Sequence, residues 1–385
     1  MLVSKNQHNE IINVLKHSAK ELINLKKDEY TCIECGSKVI LKHCHSKLSH
    51  FAHVKKSDCD FIHENEGIEH LSIKKAFYNI LTQQGHKVEV EKSIVEGKLR
   101  ADLLVDDTIA LEIQCSNLSI ERLAERTRLY KENGIQVYWM CGKNLWIDGL
   151  EKTSYLKKAL NYFSKGDKRL HRFEVNLAKH EIVIRVRITE YADGRISSYK
   201  MRMPFDADWL GMMQDESFRI PAHPPIDLDN SMEISENVYK NNKLKVRSEE
   251  TNRIIERFYE HGWYLWDLPE YFYYPGTVAP FSKDNDFYFK LLVIEAVDRW
   301  QFPLDLNDYS EFMEFVAQYV TKYKIDFLTL PNMNIDEVIW FYVSVELIHL
   351  TRCKILDGNV STNYFKENLI TPEKSTVEFR EYIPM

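Results

Sequence analysis

Apolar residues recur at helical spacing in two segments of the first half of the chain. In residues 66–84, the apolar positions that recur every three to four residues are Ile73, Phe77, Ile80 and Leu81. Gly85 directly follows this segment, and glycine commonly ends a helix. A second helix is predicted over residues 119–134, because Ser119 is a favourable N-cap and Gly134 closes the segment.

Four strand-like runs accompany these two helices. They are HKVEVEKSIV (86–95), LRADLLV (99–105), IALEIQC (109–115) and, after the second helix, IQVYWMC (135–141). Gly97 and the turn at 106–108 separate the first three runs. The order of one helix, three strands, one helix and one strand predicts an α/β sandwich, in which a meander is followed by a crossover.

The same patterning divides the chain into five regions. They are an N-terminal segment (1–65), the α/β domain (66–165), a β-rich connecting region (166–218), a linker with several prolines (219–247) and a mainly helical, aromatic-rich C-terminal domain (248–385).

The composition is that of a soluble globular protein. The chain has 385 residues, of which 44% are hydrophobic and 28% charged, and its formal net charge is −7. No segment reaches the roughly 18 apolar residues that span a bilayer, and the N-terminus lacks the apolar core of a secretory signal. We therefore expect a cytoplasmic protein with no membrane partner. A net acidic chain is not a general nucleic-acid coat, so contact with DNA requires a local basic groove.

Cysteine and histidine are concentrated near the N-terminus. Cys32 and Cys35 form a C-x2-C pair, and fifteen residues later His50 and His53 form an H-x2-H pair. Two thiolates and two imidazoles suit a tetrahedral, structural Zn²⁺ site. The alternatives for the third and fourth ligands are Cys44, Cys59 and His63. Thiols and imidazoles without a metal are the other interpretation. We expect residues 30–66 to form a loop-rich module with no core of its own.

Acidic residues lie on two of the predicted strands. The strand period of two places Glu112 and Gln114 on one face of the run 109–115, and we expect Asp102 to lie across the short hairpin from them. Such a carboxylate pair suits Mg²⁺ or Mn²⁺, which can activate a water for attack on a phosphodiester. The alternative is that Glu112 is a solvent-facing residue of an edge strand, paired with a helix such as 119–134.

A polar stripe is predicted on the first helix. Glu66, His70 and Lys74 are spaced four residues apart and therefore share one helix face. Such a stripe can supply a metal ligand, a proton-transfer group and a cation that neutralises phosphate. The alternative is an ordinary exposed face with one Glu–Lys ladder.

Together these motifs resemble those of the competence protein CoiA family. The similar blocks are YTCIECGSKVILK, the HFAH at 50–53, the E-x3-H-x3-K of ENEGIEHLSIK, RADLLV, ALEIQCSNLS and RLAERTRLYKENGIQVYWM. They occur in family order and cover roughly residues 1–145. The resemblance implies a zinc-finger-like segment joined to a restriction-endonuclease-like α/β sandwich of the PD-(D/E)xK superfamily.

The resemblance also implies a function. Family members are associated with natural transformation, so DNA is the expected substrate and a Mg²⁺- or Mn²⁺-dependent DNA nuclease is the expected activity. Asp102 and Glu112 would ligate the metal, and Gln114 stands where related nucleases usually carry lysine. The remaining expected catalytic residues are Glu66, His70 and Lys74, with Lys74 supplying the cation that the glutamine lacks.

Three arginines are the expected contacts to the DNA backbone: Arg100, Arg126 and Arg128. For the last two, pairing with Glu125 and Glu121 on the helix surface is an equal alternative.

Two other roles of the protein stay open at this point. One is a catalytically inactive DNA-binding or recombination-mediator protein that keeps the nuclease fold. The other is a mobile-element or anti-phage nuclease whose C-terminal helices bind a protein partner.

Overall fold

The structure is a computed structural model that describes most of the first half of the chain and parts of the second. The described residues are 1–44, 47–54, 67–96, 98–147, 154–164, 169–190, 196–215, 249–264, 268, 272, 276–277, 286–300, 310–323, 339, 342–343, 346–347 and 350. The predicted linker at 219–247 lies outside these residues, as does Glu66.

The N-terminal residues form a five-stranded sheet. Its elements are β1 (Val3–Asn6), β2 (Ile11–Asn13), α1 (Ala19–Leu25), β3 (Tyr30–Thr31), β4 (Lys38–Cys44) and β5 (Lys47–His53), with strand order β2-β1-β3-β4-β5. Ser18 and Glu21 form a capping box at the start of α1. The prediction of a loop-rich module over residues 30–66 was wrong for the described part, because β4 and β5 pair and bury Val39, Leu41 and Phe51 on one face. Residues 55–66 lie outside the described residues.

A second sheet begins after helix α2 (Ile68–Gln83). Strands β6 (Val88–Val95), β7 (Leu99–Val105) and β8 (Ile109–Gln114) form an antiparallel meander, and α3 (Ile120–Glu132) leads to β9 (Gln136–Cys141), which pairs with β8 in parallel. This order confirms the predicted α/β sandwich. The predicted helix ends are also present: Ser119 caps α3, and Gly85 adopts a φ of +95° after α2.

The next strands extend this same sheet. They are β10 (Tyr162–Ser164), β11 (Arg169–Asn176), β12 (Glu181–Glu190) and β13 (Ile196–Pro204), with short helices α4 (Tyr155–Ala159) and α5 (Trp209–Gln214) on either side. The sheet order is β13-β12-β11-β9-β8-β7-β6. Residues 169–204 are therefore part of the α/β sheet, and the boundary we predicted at 165 falls within one structural unit.

Two cores lie on opposite faces of the second sheet. Ile109 and Leu111 of β8 pack in the core that contains α2, whereas Ala110 packs in the core that contains α3. Because alternate strand residues point to opposite faces, α2 and α3 cover different faces of the sheet. The α2 core also contains Leu2 and Val3, so the N-terminal sheet and the α/β sheet share one hydrophobic core.

The described part of the C-terminal region is mainly helical, as predicted. Its elements are α6 (Glu249–Glu260), the short strand β14 (Gly276–Thr277), α7 (Asp286–Arg299) and α8 (Ser310–Lys322). Arg257 of α6 pairs with the buried Glu295 of α7. Within the described residues, none of the helices has the length and apolar character that a bilayer crossing requires.

Candidate functional site

A compact group of metal-compatible side chains lies at the end of the N-terminal hairpin. The ligand atoms of Cys32, Cys35 and His53 all lie within 4.8 Å of one another, and Cys35 Sγ is 3.4 Å from His53 Nε2. Gly36, with a φ of +69°, allows the tight turn that brings the two cysteines together. Burial raises the pKa of the Cys32 thiol, so a cation is needed to stabilise its thiolate. This donor set fits structural Zn²⁺.

His50 does not belong to this group. It lies three residues before His53 on β5, and residues separated by an odd number on a strand point to opposite faces. Its Nδ1 lies 3.0 Å from the carbonyl oxygen of Leu48. The predicted H-x2-H ligand pair is therefore corrected to one ligand, His53. The side chain of Cys44 and the whole of Cys59 and His63 lie outside the described residues.

Three acidic residues form a row across neighbouring strands of the second sheet. In the β6–β7 ladder Val90 pairs with Leu103 and Lys92 with Ala101, so Glu91 lies opposite Asp102. On the other side, the β7–β8 pairing ends at Leu103 and Leu111, and Asp102 and Glu112 are the next residues of the two strands. All three are buried: Glu91 is 3% exposed, Asp102 6% and Glu112 1%. Buried carboxylates require cations or hydrogen-bond donors, and the neighbouring helices provide them.

The α2 side of the row is a cluster of four ionisable groups. Lys74 Nζ lies 2.8 Å from Asp102 Oδ1 and 3.0 Å from Glu91 Oε1, and His70 Nε2 lies 3.2 Å from the same Asp102 oxygen. Asp102 Oδ2 accepts a hydrogen bond from the Ile113 amide at 2.9 Å. Burial alone would raise the pKa of Asp102, but the His70 and Lys74 charges hold it well below its usual range. Asp102 is therefore an ionised, fully engaged carboxylate.

Glu91 connects this cluster to the N-terminal sheet. Its Oε1 accepts the Leu2 amide at 2.8 Å, and its Oε2 accepts the Val3 amide at 3.2 Å. The φ of Glu91 is +50°, a left-handed backbone conformation that is uncommon outside glycine. Sequence reasoning missed Glu91, because in KVEVEKSIV it has the same alternating pattern as the more exposed Glu89. Only its position opposite Asp102 in the ladder distinguishes it.

The α3 side of the row is a second, separate cluster. Arg126 Nη2 lies 2.7 Å from Glu112 Oε2, and the Tyr130 hydroxyl donates to Glu112 Oε1. The Arg126 guanidinium also lies 5.5 Å from the centroid of the Trp139 ring. Burial, followed by the Glu112 charge, raises the pKa of Tyr130 and keeps it a hydrogen-bond donor. Glu112 is thus held by a cation and a hydroxyl of the helix it faces.

The expectation that Asp102 and Glu112 share one face is corrected by these contacts. Ala101 packs with the α3 core and Leu103 with the α2 core, although two residues apart on a regular strand share a face. Strand β7 is therefore irregular at Asp102, whose side chain bonds to α2 while Glu112 bonds to α3. Among the described residues, neither carboxylate belongs to a close group of three or more His, Cys, Asp or Glu ligand atoms. As arranged, the pair does not fit a shared Mg²⁺ or Mn²⁺.

The other predicted site residues have partners of their own. Gln114 donates to the carbonyl of Ser116 at 2.7 Å, whereas Lys74 bonds to Asp102 and Glu91. The joint role of Gln114 and Lys74 stays a prediction. Arg100 and Arg126 are buried, and Arg128 is exposed and pairs with Glu132. The prediction that Arg100 and Arg126 contact DNA from the surface is therefore corrected. The alternative that Arg126 and Arg128 pair with Glu125 and Glu121 on the helix surface is also corrected. Arg126 pairs with Glu112 and Arg128 with Glu132, and Glu125 pairs with Arg122.

Comparisons with known proteins agree with this architecture. Residues 66–205 match the family model described as "Competence protein CoiA, nuclease-like domain", and residues 14–62 match "Competence protein CoiA, N-terminal domain". A similar curated protein is the competence protein CoiA of Bacillus subtilis (strain 168), which is 28% identical over 127 residues. That stretch is 32% of this chain and 34% of the relative, so the match spans about a third of the relative's length. No solved structure matches the chain.

Proposed function

The chain belongs to the competence protein CoiA-like family, and from this we propose that it processes DNA through its nuclease-like domain. The match over residues 66–205 carries the proposal, since it contains the whole acidic row and both helices that hold it. The name of the similar Bacillus protein supports a role in natural transformation.

The clusters around the acidic row support a functional role for these residues. A buried ion pair is seldom more stabilising than well-packed apolar residues of similar size. This domain nevertheless buries Glu91, Asp102 and Glu112 together with Lys74 and Arg126. Because folding alone does not require these charges, we infer that they serve the domain's action on DNA.

The contacts of the acidic row favour a state in which the protein binds DNA without cutting it. Each oxygen of Asp102 and Glu112 accepts from a protein donor, and the two carboxylates serve helices on opposite faces. Lys74 and Arg126 thus supply the positive charges that neutralise Asp102 and Glu112. We propose that in this arrangement the protein binds DNA for a recombination step and leaves phosphodiester bonds intact.

A metal-dependent DNA nuclease is the second candidate. It is supported by the nuclease-like family match, which covers Asp102, Glu112 and Gln114, the residues that we propose for the nuclease motif. That activity requires a rearrangement, in which Arg126 releases Glu112 and Lys74 releases Asp102. DNA binding is the trigger that we propose for such a change.

Incubation of the zinc-loaded protein with end-labelled single- and double-stranded DNA distinguishes the two candidates. EDTA, Mg²⁺ and Mn²⁺ are compared for wild type, Asp102→Asn and Glu112→Gln, and binding is followed by fluorescence anisotropy. We expect binding in all conditions and intact DNA. Metal-dependent cleavage that both substitutions abolish would establish the nuclease instead. Failure to bind DNA of either kind would overturn the whole proposal.

The C-terminal helices extend beyond both family matches. We propose that they bind a protein partner of recombination or of a mobile-element or anti-phage system. Copurification of full-length and 1–215 forms from the native host tests this. A partner retained equally by both forms would count against it.

A further inference from the structure

The buried positions of Arg100 and Arg126 leave open which surface meets DNA. One stretch of the chain has a strong positive bias. Residues 35–57 contain five lysines and four histidines but no aspartate or glutamate. Most of the described residues in this stretch belong to the β4–β5 hairpin. In a chain of net charge −7, this is a local concentration of positive charge.

The strand register places part of this charge on the outer face of the hairpin. Ile40 pairs with Ala52 and Lys42 with His50, and the Val54 amide donates to the carbonyl of Lys38. The outer residues are therefore Lys38, Ile40, Lys42, His50, Ala52 and Val54, which we call the hairpin face. The opposite face carries Val39, Leu41 and Phe51 into the core. The hairpin is thus anchored on one side and free to meet a partner on the other.

The hairpin face is exposed and carries both positively charged and apolar side chains. Lys38 and Lys42 are exposed, and Ile40 and Val54 are 45% and 52% exposed. Lys38 pairs with Glu29 at 2.6 Å, but both side chains are largely in solvent, where such pairs contribute little. A phosphate can therefore compete for Lys38. His50, which sequence reasoning assigned to zinc, lies directly opposite Lys42 on this face.

We propose that the hairpin face binds the backbone of DNA. Lys38 and Lys42 would contact phosphates, and the exposed apolar side chains Ile40 and Val54 would pack against the sugars. Lys38 and Lys42 complement a polyanion, because the Glu29 partner of Lys38 is itself in solvent and a phosphate can replace it. Such contacts carry no sequence preference. The Cys32, Cys35 and His53 metal group would hold the hairpin rigid from behind. This inference rests on the proposed function and names the surface through which the protein engages its substrate.

The salt dependence of binding tests the assignment. The zinc-loaded full chain is titrated with labelled single- and double-stranded DNA at several salt concentrations. The slope of log K against log salt is negative, and each lost phosphate contact makes it less steep by about 0.9 for duplex and about 0.7 for single strands. The slope of the double variant Lys38→Ala/Lys42→Ala should therefore be less negative than that of wild type by about 1.8 for duplex or about 1.4 for single strands. Far-UV circular dichroism and zinc content confirm that the variant is folded.

The matched control removes two exposed lysines of the same N-terminal segment that lie outside the hairpin. Lys20→Ala/Lys26→Ala changes the net charge equally and should leave the slope unchanged. Equal losses in both double variants would overturn the inference, as would no loss in the hairpin variant. If the hairpin variant instead lost only its binding to vesicles of anionic phospholipid, the face would take a lipid surface. Wild type that fails to bind DNA would refute the proposed function itself, whereas an unaffected hairpin variant refutes only this surface.

Discussion

Replacing Arg126 with alanine leaves the Glu112 carboxylate in the core without its cation. Glu112 is 1% exposed and Arg126 4%, so water cannot take over the lost contact without opening the α3 core. Removing one partner of a buried ion pair costs about 3–5 kcal/mol. The Tyr130 hydroxyl still donates to Glu112, which favours the lower end of this range. We therefore predict that Arg126→Ala lowers the free energy of unfolding by about 3 kcal/mol.

Urea denaturation followed by circular dichroism measures this loss. With a typical slope of about 2 kcal/mol per molar urea, the midpoint should fall by about 1.5 M. Arg128→Ala is the matched control on the same helix, because Arg128 and Glu132 form an exposed pair. It should change stability by no more than about 0.5 kcal/mol.

A double-mutant cycle with Glu112→Gln measures the interaction energy between Arg126 and Glu112. The double variant Glu112→Gln/Arg126→Ala should be more stable than Arg126→Ala alone, because the unpaired buried charge is gone. A loss below about 1 kcal/mol for Arg126→Ala would show that Glu112 does not depend on Arg126 for its burial, since removing the cation from a desolvated carboxylate costs several times more.

Three further predictions concern the remaining clusters. Because the folded-state pKa of Asp102 is lowered, its stabilisation should be complete above about pH 5 and be lost as the pH falls below about 4. Asp102→Asn should flatten this acid dependence in urea titrations from pH 3 to 7, and an unchanged profile would contradict it. His53→Ala should lower the zinc content measured by mass spectrometry, whereas His50→Ala should retain it; equal losses would return His50 to the ligand set. Glu91→Gln should weaken the bonds to the Leu2 and Val3 amides and to Lys74, and lower stability by about 1–3 kcal/mol. Faster amide hydrogen exchange in β1 is the expected signature, and unchanged exchange would contradict this role.

Local periodicity was sufficient for the elements of the α/β domain. Helix α2 follows the spacing of Ile73, Phe77 and Leu81, and all three are buried. Helix α3 begins at the cap formed by Ser119. These features depend on neighbours within a few residues, so the sequence displays them directly.

The directions of the acidic side chains depend on contacts that are distant in sequence. A regular strand would place Asp102 and Glu112 on one face, but the Ile113 amide and Lys74 draw Asp102 toward α2. The role of Glu91 likewise arises from amides 88 and 89 residues away. No periodicity within a strand encodes such pairings.

The metal group shows the same limit. The C-x2-C spacing correctly predicted that Cys32 and Cys35 converge, because the turn between them is local. The H-x2-H spacing can bring two histidines to one metal ion on a helix or in a loop. Both histidines lie on strand β5, where residues three apart point to opposite faces of the sheet. The error therefore followed from the secondary structure assigned to the segment.

The number of Mn²⁺ ions bound by the zinc-loaded protein without DNA decides whether protein cations or a shared divalent ion neutralise Asp102 and Glu112. The contacts of Lys74 with Asp102 and of Arg126 with Glu112 assign this role to the protein cations. Electron paramagnetic resonance titration should therefore detect no Mn²⁺ site in wild type that is absent from Asp102→Asn and Glu112→Gln. One bound Mn²⁺ that each substitution abolishes would show instead that a shared divalent ion neutralises the two carboxylates.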